Sequence, residues 1–153
     1  MYEIKHQERQ IAFTEKVSQA EELGRERIMQ ILELKDKFKL DQATAPYGSA
    51  IESFNMVQVC QTPLDKLNSL LEGVTFMKTC VVDYWKGKLE LSTMDDQLPV
   101  MIYIVSQVKA PTFVSQIILL KDYISGSLGF DNETKLLTDI DSAISFIIKD
   151  LKY

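Results

Sequence analysis

Apolar residues recur at helical spacing along most of this chain. Phe13, Val17, Ala20, Gly24, Ile28, Ile31 and Phe38 fall near one 3.6-residue stripe, with charged residues between them. Residues 1–40 therefore read as one or two charged helices, with Gly24 as a break or a close packing point. Such a segment reads as a solvated outer layer resting on the domain, because its heptads are too irregular for a coiled coil. Residues 41–49 (DQATAPYGS) read as a loop punctuated by Pro46 and Gly48. A short helix follows through Ile51, Phe54, Val57 and Cys60. Thr62 then suits a helix N-cap, Pro63 the first helical position and Asp65 a first-turn acid. Leu64, Leu67, Leu71, Val74 and Val81 carry one face of that helix to Trp85, where Lys86-Gly87-Lys88 ends it.

Residues 98–105 (LPVMIYIV) fit two elements. Their β-branched content suits a buried strand. Pro99, however, would remove a ladder donor, and this tips the reading to a helix. That helix has Asp95 as N-cap, Pro99 in its first turn and an end at Lys109, before Pro111. Phe113, Ile117, Leu120 and Ile124 mark the next helix, stopped by Gly126. Residues 126–135 read as a polar loop. Thr138 then reads as the N-cap of a last helix, with Asp141 three positions on and Ala143, Ile144, Ile147 and Leu151 inward. The sum is an all-α, layered bundle of about six helices, and no strand pair with a hairpin turn stands out.

The 153 residues favour one domain and can bury a core without a disulfide or a metal. The longest nearly unbroken apolar run, Leu98 to Val105, is far short of a membrane span, so no direct membrane insertion is expected. Tyr2, Glu3, Lys5 and His6 open the chain without the apolar stretch of a secretory signal. Two cysteines, Cys60 and Cys80, do not make a secreted disulfide framework, so a reducing, cytoplasmic setting is the default. The net charge of −5 disfavours a nucleic-acid partner. Residues 1–40 hold eight acids and eight bases, so the acidic excess lies wholly in the rest of the chain and favours a basic partner.

Little here suggests covalent chemistry. His6, the single histidine, is expected on an exposed charged helix, where no Ser-His or Cys-His pair assembles around it. Cys60 and Cys80 lack companions for zinc and read as buried structural thiols. No phosphate loop or dinucleotide fingerprint is present, and no cofactor or metal is expected. Asn132-Glu133-Thr134 fits a glycosylation triplet of a kind common by chance. Trp85 reads as a rim packing residue and the six methionines as core filler. What remains is Asp95-Asp96-Gln97-Leu98-Pro99, whose acids on composition alone cap a helix and meet its dipole.

At this point the sequence resembles a family, the vacuolar protein sorting nine (Vps-nine) domain, an exchange-factor domain for endosomal Rab GTPases. Pro46-Tyr47 followed by Ala50-Ile51 resembles the segment leading into that domain. Thr62-Pro63 with Asp65-Lys66-Leu67 resembles its "P-x-D/E-K-L" helix start, and Asp95-Asp96 with Leu98-Pro99 and Tyr103 its central motif. Ala110-Pro111, Gln116 and Tyr123-Ile124 resemble the next helix; Leu137-Thr138, Ser142-Ala143 and Phe146-Ile147 resemble the closing one. The resemblance covers about residues 41–151, which gives an expected exchange-factor domain over 41–153 and a supporting helical layer over 1–40.

The resemblance implies an all-helical layered fold whose binding surface is made by two neighbouring helices. It implies that Asp95 is an acidic finger that enters the partner's nucleotide site and pairs with the lysine of the phosphate loop. Asp96, Pro99, Lys135, Thr138 and Ser142 are the expected partner contacts. The implied partner is a Rab GTPase of the Rab-five subfamily, nucleotide-free or GDP-bound, met on endosomal membranes to which the cytoplasmic protein is recruited. The family places a tyrosine three residues before the threonine matched by Thr138; here that position is Lys135. A competing reading follows from this departure: a helical module that binds a Rab or another protein without exchanging its nucleotide. A third reading, a small-molecule or lipid-binding bundle, requires an apolar core pocket of several hundred cubic ångströms. Nothing in the sequence supplies membrane targeting, so the chain is expected to be one domain of a larger protein.

Overall fold

Gly24, at a φ of +86°, breaks the N-terminal stripe where a side chain would be strained, and two helices result instead of one. The computed structural model describes residues 2–40 and 43–151, with side chains from residue 7 onward. The expected exposure of His6 and two positions of the expected 41–49 loop lie outside the described residues. Among the described residues the chain forms eight α-helices, one 3-10 turn and no strand. They are α1 (Tyr2–Leu23), α2 (Arg25–Ile31), α3 (Asp36–Lys39) and α4 (Gly48–Asn55). The 3-10 turn (Met56–Gln58) leads to α5 (Pro63–Tyr84), α6 (Met94–Ser106), α7 (Phe113–Ile124) and α8 (Asp131–Lys149).

The all-α reading holds, with eight helices in place of about six. The stretch 98–105 is helical throughout. Val100, Met101, Tyr103, Ile104, Val105 and Ser106 are buried, so β-branched content here reflects a core helix walled on several sides. Three boundaries are corrected. The cap of α6 is Thr93, not Asp95, and Pro99 is the sixth helical residue, beyond the first turn. The helix stops at Ser106, before Lys109. The last helix starts at Asp131, so the expected loop is five residues shorter and Thr138 lies in the helix interior, not at its cap. The polar run 131–135 is simply the outward first turn of α8, whose acids Asp131 and Glu133 suit the positive end of the dipole. The start of α5 is as expected: Thr62 Oγ1 accepts from the Asp65 N–H at 3.1 Å and Pro63 opens the helix.

α4 lies along α5, α6 packs on α8, and α1 covers α7 and α8. Gly73 sets the first of these contacts. A Cβ there would sit 2.3 Å and 2.4 Å from ring carbons of Phe54, which is itself fully buried. Alanine would gain about 1 kcal/mol of helix propensity but overpack a closed interface, typically at about 1–3 kcal/mol or more. We expect Gly73→Ala to lower the midpoint of thermal unfolding by a few degrees, at roughly 2–4 °C per kcal/mol for a chain of this size. An unchanged or raised midpoint would show that Phe54 simply moves aside.

α1 is tied down by polar contacts as well. Gln10 Oε1 accepts from the Val114 N–H at 2.8 Å, and so caps α7, whose own N-cap Thr112 gives no side-chain bond to the backbone N–H groups of the helix start. Arg9 reaches α8, with 2.8 Å to Asp141 Oδ1 and 2.9 Å to Ser145 Oγ. Lys121 adds a 3.1 Å contact to Asp141 Oδ2 from α7. Partial burial pushes the Asp141 carboxyl up, but hydrogen bonds from Arg9 and Lys121 outweigh it and hold the group below its ordinary value of 3.8. A depressed folded value stabilises above the ordinary carboxylate range, and the gain disappears as pH falls through the folded value. Two half-exposed pairs should together contribute about 1 kcal/mol. In urea unfolding, wild type should therefore exceed Asp141→Asn by about that much at neutral pH, with the gap closing in acid. A gap that persists undiminished in acid would rule out the ion pairs as its source.

Trp85, read as a rim residue, donates its indole N–H to the Lys37 carbonyl at 2.7 Å and ties α3 to the end of α5. Both cysteines are free and half-buried, not fully buried. The methionines divide: Met29, Met77 and Met101 fill the core, whereas Met56 and Met94 are exposed.

Candidate functional site

The first turn of α6 carries two adjacent acids in different surroundings. Thr93 Oγ1 accepts from the Asp96 N–H at 3.2 Å, which fixes the start of the helix. Asp96 turns toward the α2–α3 connection, where Lys35 Nζ sits 2.6 Å from its Oδ1; its side chain is only 14% exposed. The Lys35 hydrogen bond holds the Asp96 carboxyl below the usual carboxylate range. Asp95 is exposed and, among the described residues, has no hydrogen bond or ion pair. Met94 and Leu98, both exposed, flank it along the helix. Pro99, half-buried, has no N–H to give to the Asp95 carbonyl four residues back, so that carbonyl lacks its helical donor. Gln97 steadies the approach to the turn by donating to the Leu91 and Ser92 carbonyls, each at 3.2 Å.

On α8, Lys135, Thr138 and Ser142 are all exposed, and their spacing of three and four residues puts them on one stripe. Thr138 donates back to the Thr134 carbonyl at 2.8 Å, as a hydroxyl inside a helix does. Lys135 reaches across to α6, with Nζ 3.5 Å from Met94 Sδ, and stands 3.9 Å from Asp139 Oδ2 on its own helix. The turn that bears Asp95 and the residue Lys135 are thus brought together. Thr138 opens instead onto a cleft of about 260 Å³ between the end of α7 and α8, and Ser142 stands one turn farther along.

Residues 47–152 match the Vacuolar sorting protein 9 (VPS9) domain. The chain belongs to this family. No curated relative and no solved structure matches the chain. VPS9 domains are exchange-factor domains for Rab GTPases, so this one is a GTPase regulator and a Rab GTPase is its class of partner. The matched stretch takes in α4 through α8 and leaves α1, α2 and α3 outside it.

Beside the α6 turn the VPS9 stretch forms a groove of about 250 Å³. Leu71, Val74 and Lys78 of α5 line one wall, Gln97 and Met101 of α6 another. Lys135, Leu136 and Asp139 of α8 complete it. Of this lining the sequence had offered Lys135 as a partner contact and Leu71 and Val74 as one face of their helix; Lys78, Gln97, Met101, Leu136 and Asp139, and the groove the three helices form, were missed. The Lys35–Asp96 pair, 61 residues apart, leaves no local signal at all. Away from this face, a cleft of about 200 Å³ between α1 and the α6–α7 connection is lined by Phe13, Val17, Val108 and Pro111, with the Glu21–Lys109 pair beside it. Its volume is smaller than that of a usual small-molecule site. Among the described residues no helix is long and apolar enough to cross a membrane.

Proposed function

We propose that this VPS9 domain promotes GDP release from a Rab GTPase of the Rab-five subfamily, at endosomal membranes, with Asp95 as an acidic finger. The observation that carries this reading is the exposed carboxylate of Asp95 on the first turn of α6, which has no partner among the described residues and sits next to an acid already engaged by Lys35. In the bound GTPase a phosphate-loop lysine and Mg²⁺ hold the β-phosphate. A carboxylate inserted there competes for the lysine and repels the phosphate. Binding is reciprocal: a domain that prefers the nucleotide-free partner must loosen the nucleotide by the same factor. Asp95 provides the charge, while Met94, Leu98, Pro99 and the α8 stripe of Lys135, Thr138 and Ser142 provide the contact surface. The reaction needs no covalent step from this chain.

A second reading, binding without exchange, is favoured by Lys135, whose ammonium stands where the family carries an aromatic ring. Fluorescent-GDP release, measured across a panel of Rab GTPases alongside binding of each nucleotide-free Rab, separates the two. Accelerated release of a Rab-five-subfamily member supports the exchange reading. Binding with release at the intrinsic rate throughout would leave only the module.

A further inference from the structure

We propose that Lys35 is a positioning residue for the acidic finger: by engaging Asp96 it fixes the first turn of α6 and leaves Asp95 as the carboxylate presented to the partner. The inference rests on the reading of Asp95 given above. It also places a working residue outside the matched stretch 47–152.

Three observations carry it. First, the contact is close and sheltered on the acid's side: 2.6 Å, with Asp96 14% exposed against 61% for Lys35. Second, the turn that supplies Lys35 is itself immobilised. Leu34 and Phe38 are buried on either side of it. The Trp85 indole binds the Lys37 carbonyl at 2.7 Å, and the Tyr47 hydroxyl binds the Phe38 carbonyl at 2.6 Å. The backbone that carries Lys35 is therefore held in place, and its exposed side chain reaches Asp96 from that fixed origin. Third, Asp96 is gripped twice, by Thr93 through its N–H and by Lys35 through its side chain.

Successive helical residues point about 100° apart, so turning Asp96 toward Lys35 turns Asp95 away from it. Without Lys35, two like charges would crowd one turn, and Asp96 would compete with Asp95 for the same cation on the partner. A pair with so exposed a lysine adds little to stability. Placement is where it counts, since an error of about 1 Å at a reacting centre can lower a rate about 100-fold.

The test uses the full chain, a Rab that the wild type acts on, and fluorescent-GDP release resolved into kcat and KM. Lys35→Met should lower kcat about tenfold, with KM within about twofold and the thermal midpoint within a few degrees. Lys35→Arg should recover most of the rate. Asp96→Asn should match Lys35→Met, and the double variant should be no slower than either single, because both remove one contact. If Lys35→Met unfolds, the exchanged pair Lys35→Asp with Asp96→Lys decides, and a rate that stays low in a folded protein overturns the proposal. A Lys35→Met kcat within twofold of wild type, while Asp95→Ala is slow, overturns the positioning role and leaves the finger standing. A loss confined to KM overturns it too, since Lys35 would then touch the partner. Should Asp95→Ala exchange at the wild-type rate, finger and positioning role fall together.

Discussion

Asp95→Ala is expected to slow GDP release from the partner Rab by about 30–3,000-fold. A carboxylate and an ammonium about 4 Å apart, at an effective dielectric of about 20, attract by roughly 4 kcal/mol before desolvation. Truncating one member of such a pair at an interface usually costs about 2–5 kcal/mol, and each ~1.4 kcal/mol is a factor of ten. Asp95 also contributes to its own helix, since an acid in the first turn meets the positive end of the α6 dipole. That term is about 0.3–1 kcal/mol and would move the thermal midpoint by only a few degrees. The two roles therefore separate by magnitude: a large loss of rate in a protein that melts almost as before marks the finger. Fluorescent-GDP release and a thermal scan on the same preparation give both numbers. Release at the wild-type rate removes Asp95 from the mechanism, whatever happens to the midpoint.

Legibility in the sequence followed the range of the forces involved. α5 and α7 were readable because their signals are local: a Thr-Pro start, a regular apolar stripe and a stop at glycine. α6 was harder, since Leu98 to Val105 is a nearly unbroken apolar run, and periodicity has no polar face to read there even though Leu98 ends up exposed. Only Pro99 broke the tie, and it did so for the right element while placing the cap two residues late. The start of α8 was hidden by polarity, because its first turn faces outward and carries Asn132, Glu133 and Lys135 instead of an apolar stripe. In the candidate site, Asp95 was reached through a resemblance, not through its chemistry. The features that distinguish it from Asp96 are tertiary: a lysine 61 positions upstream, and a Thr93 cap that makes sense only once the helix start is known. Gln10 capping α7 across 104 residues is invisible for the same reason.

Phe113→Ala should be the most damaging core substitution among those considered, because three helices meet on its ring. Phe113 is fully buried at the start of α7. It stacks on Phe13 of α1, with centroids 5.9 Å apart and planes at 24°, and on Phe54 of α4, at 6.3 Å and 25°. Phe54 in turn rests against Gly73 of α5. One ring thus joins the N-terminal layer to the α4–α5 pair. Truncating a buried phenylalanine costs about 3–5 kcal/mol through lost burial and the cavity left behind. Against a total stability of about 5–15 kcal/mol that is a large share, and it corresponds to roughly 6–20 °C in the thermal midpoint. The stack also predicts a coupling. With the Phe113 ring gone, Phe54 gains room to swing away from α5, so Gly73→Ala should be less harmful in the Phe113→Ala background than in wild type. Strict additivity of the two substitutions in urea unfolding would mean that Phe54 is held by other neighbours. A loss below about 1 kcal/mol for Phe113→Ala alone would mean that the surrounding helices collapse onto the space, and that α1 is held chiefly by Arg9 and Gln10 rather than by its aromatic contact.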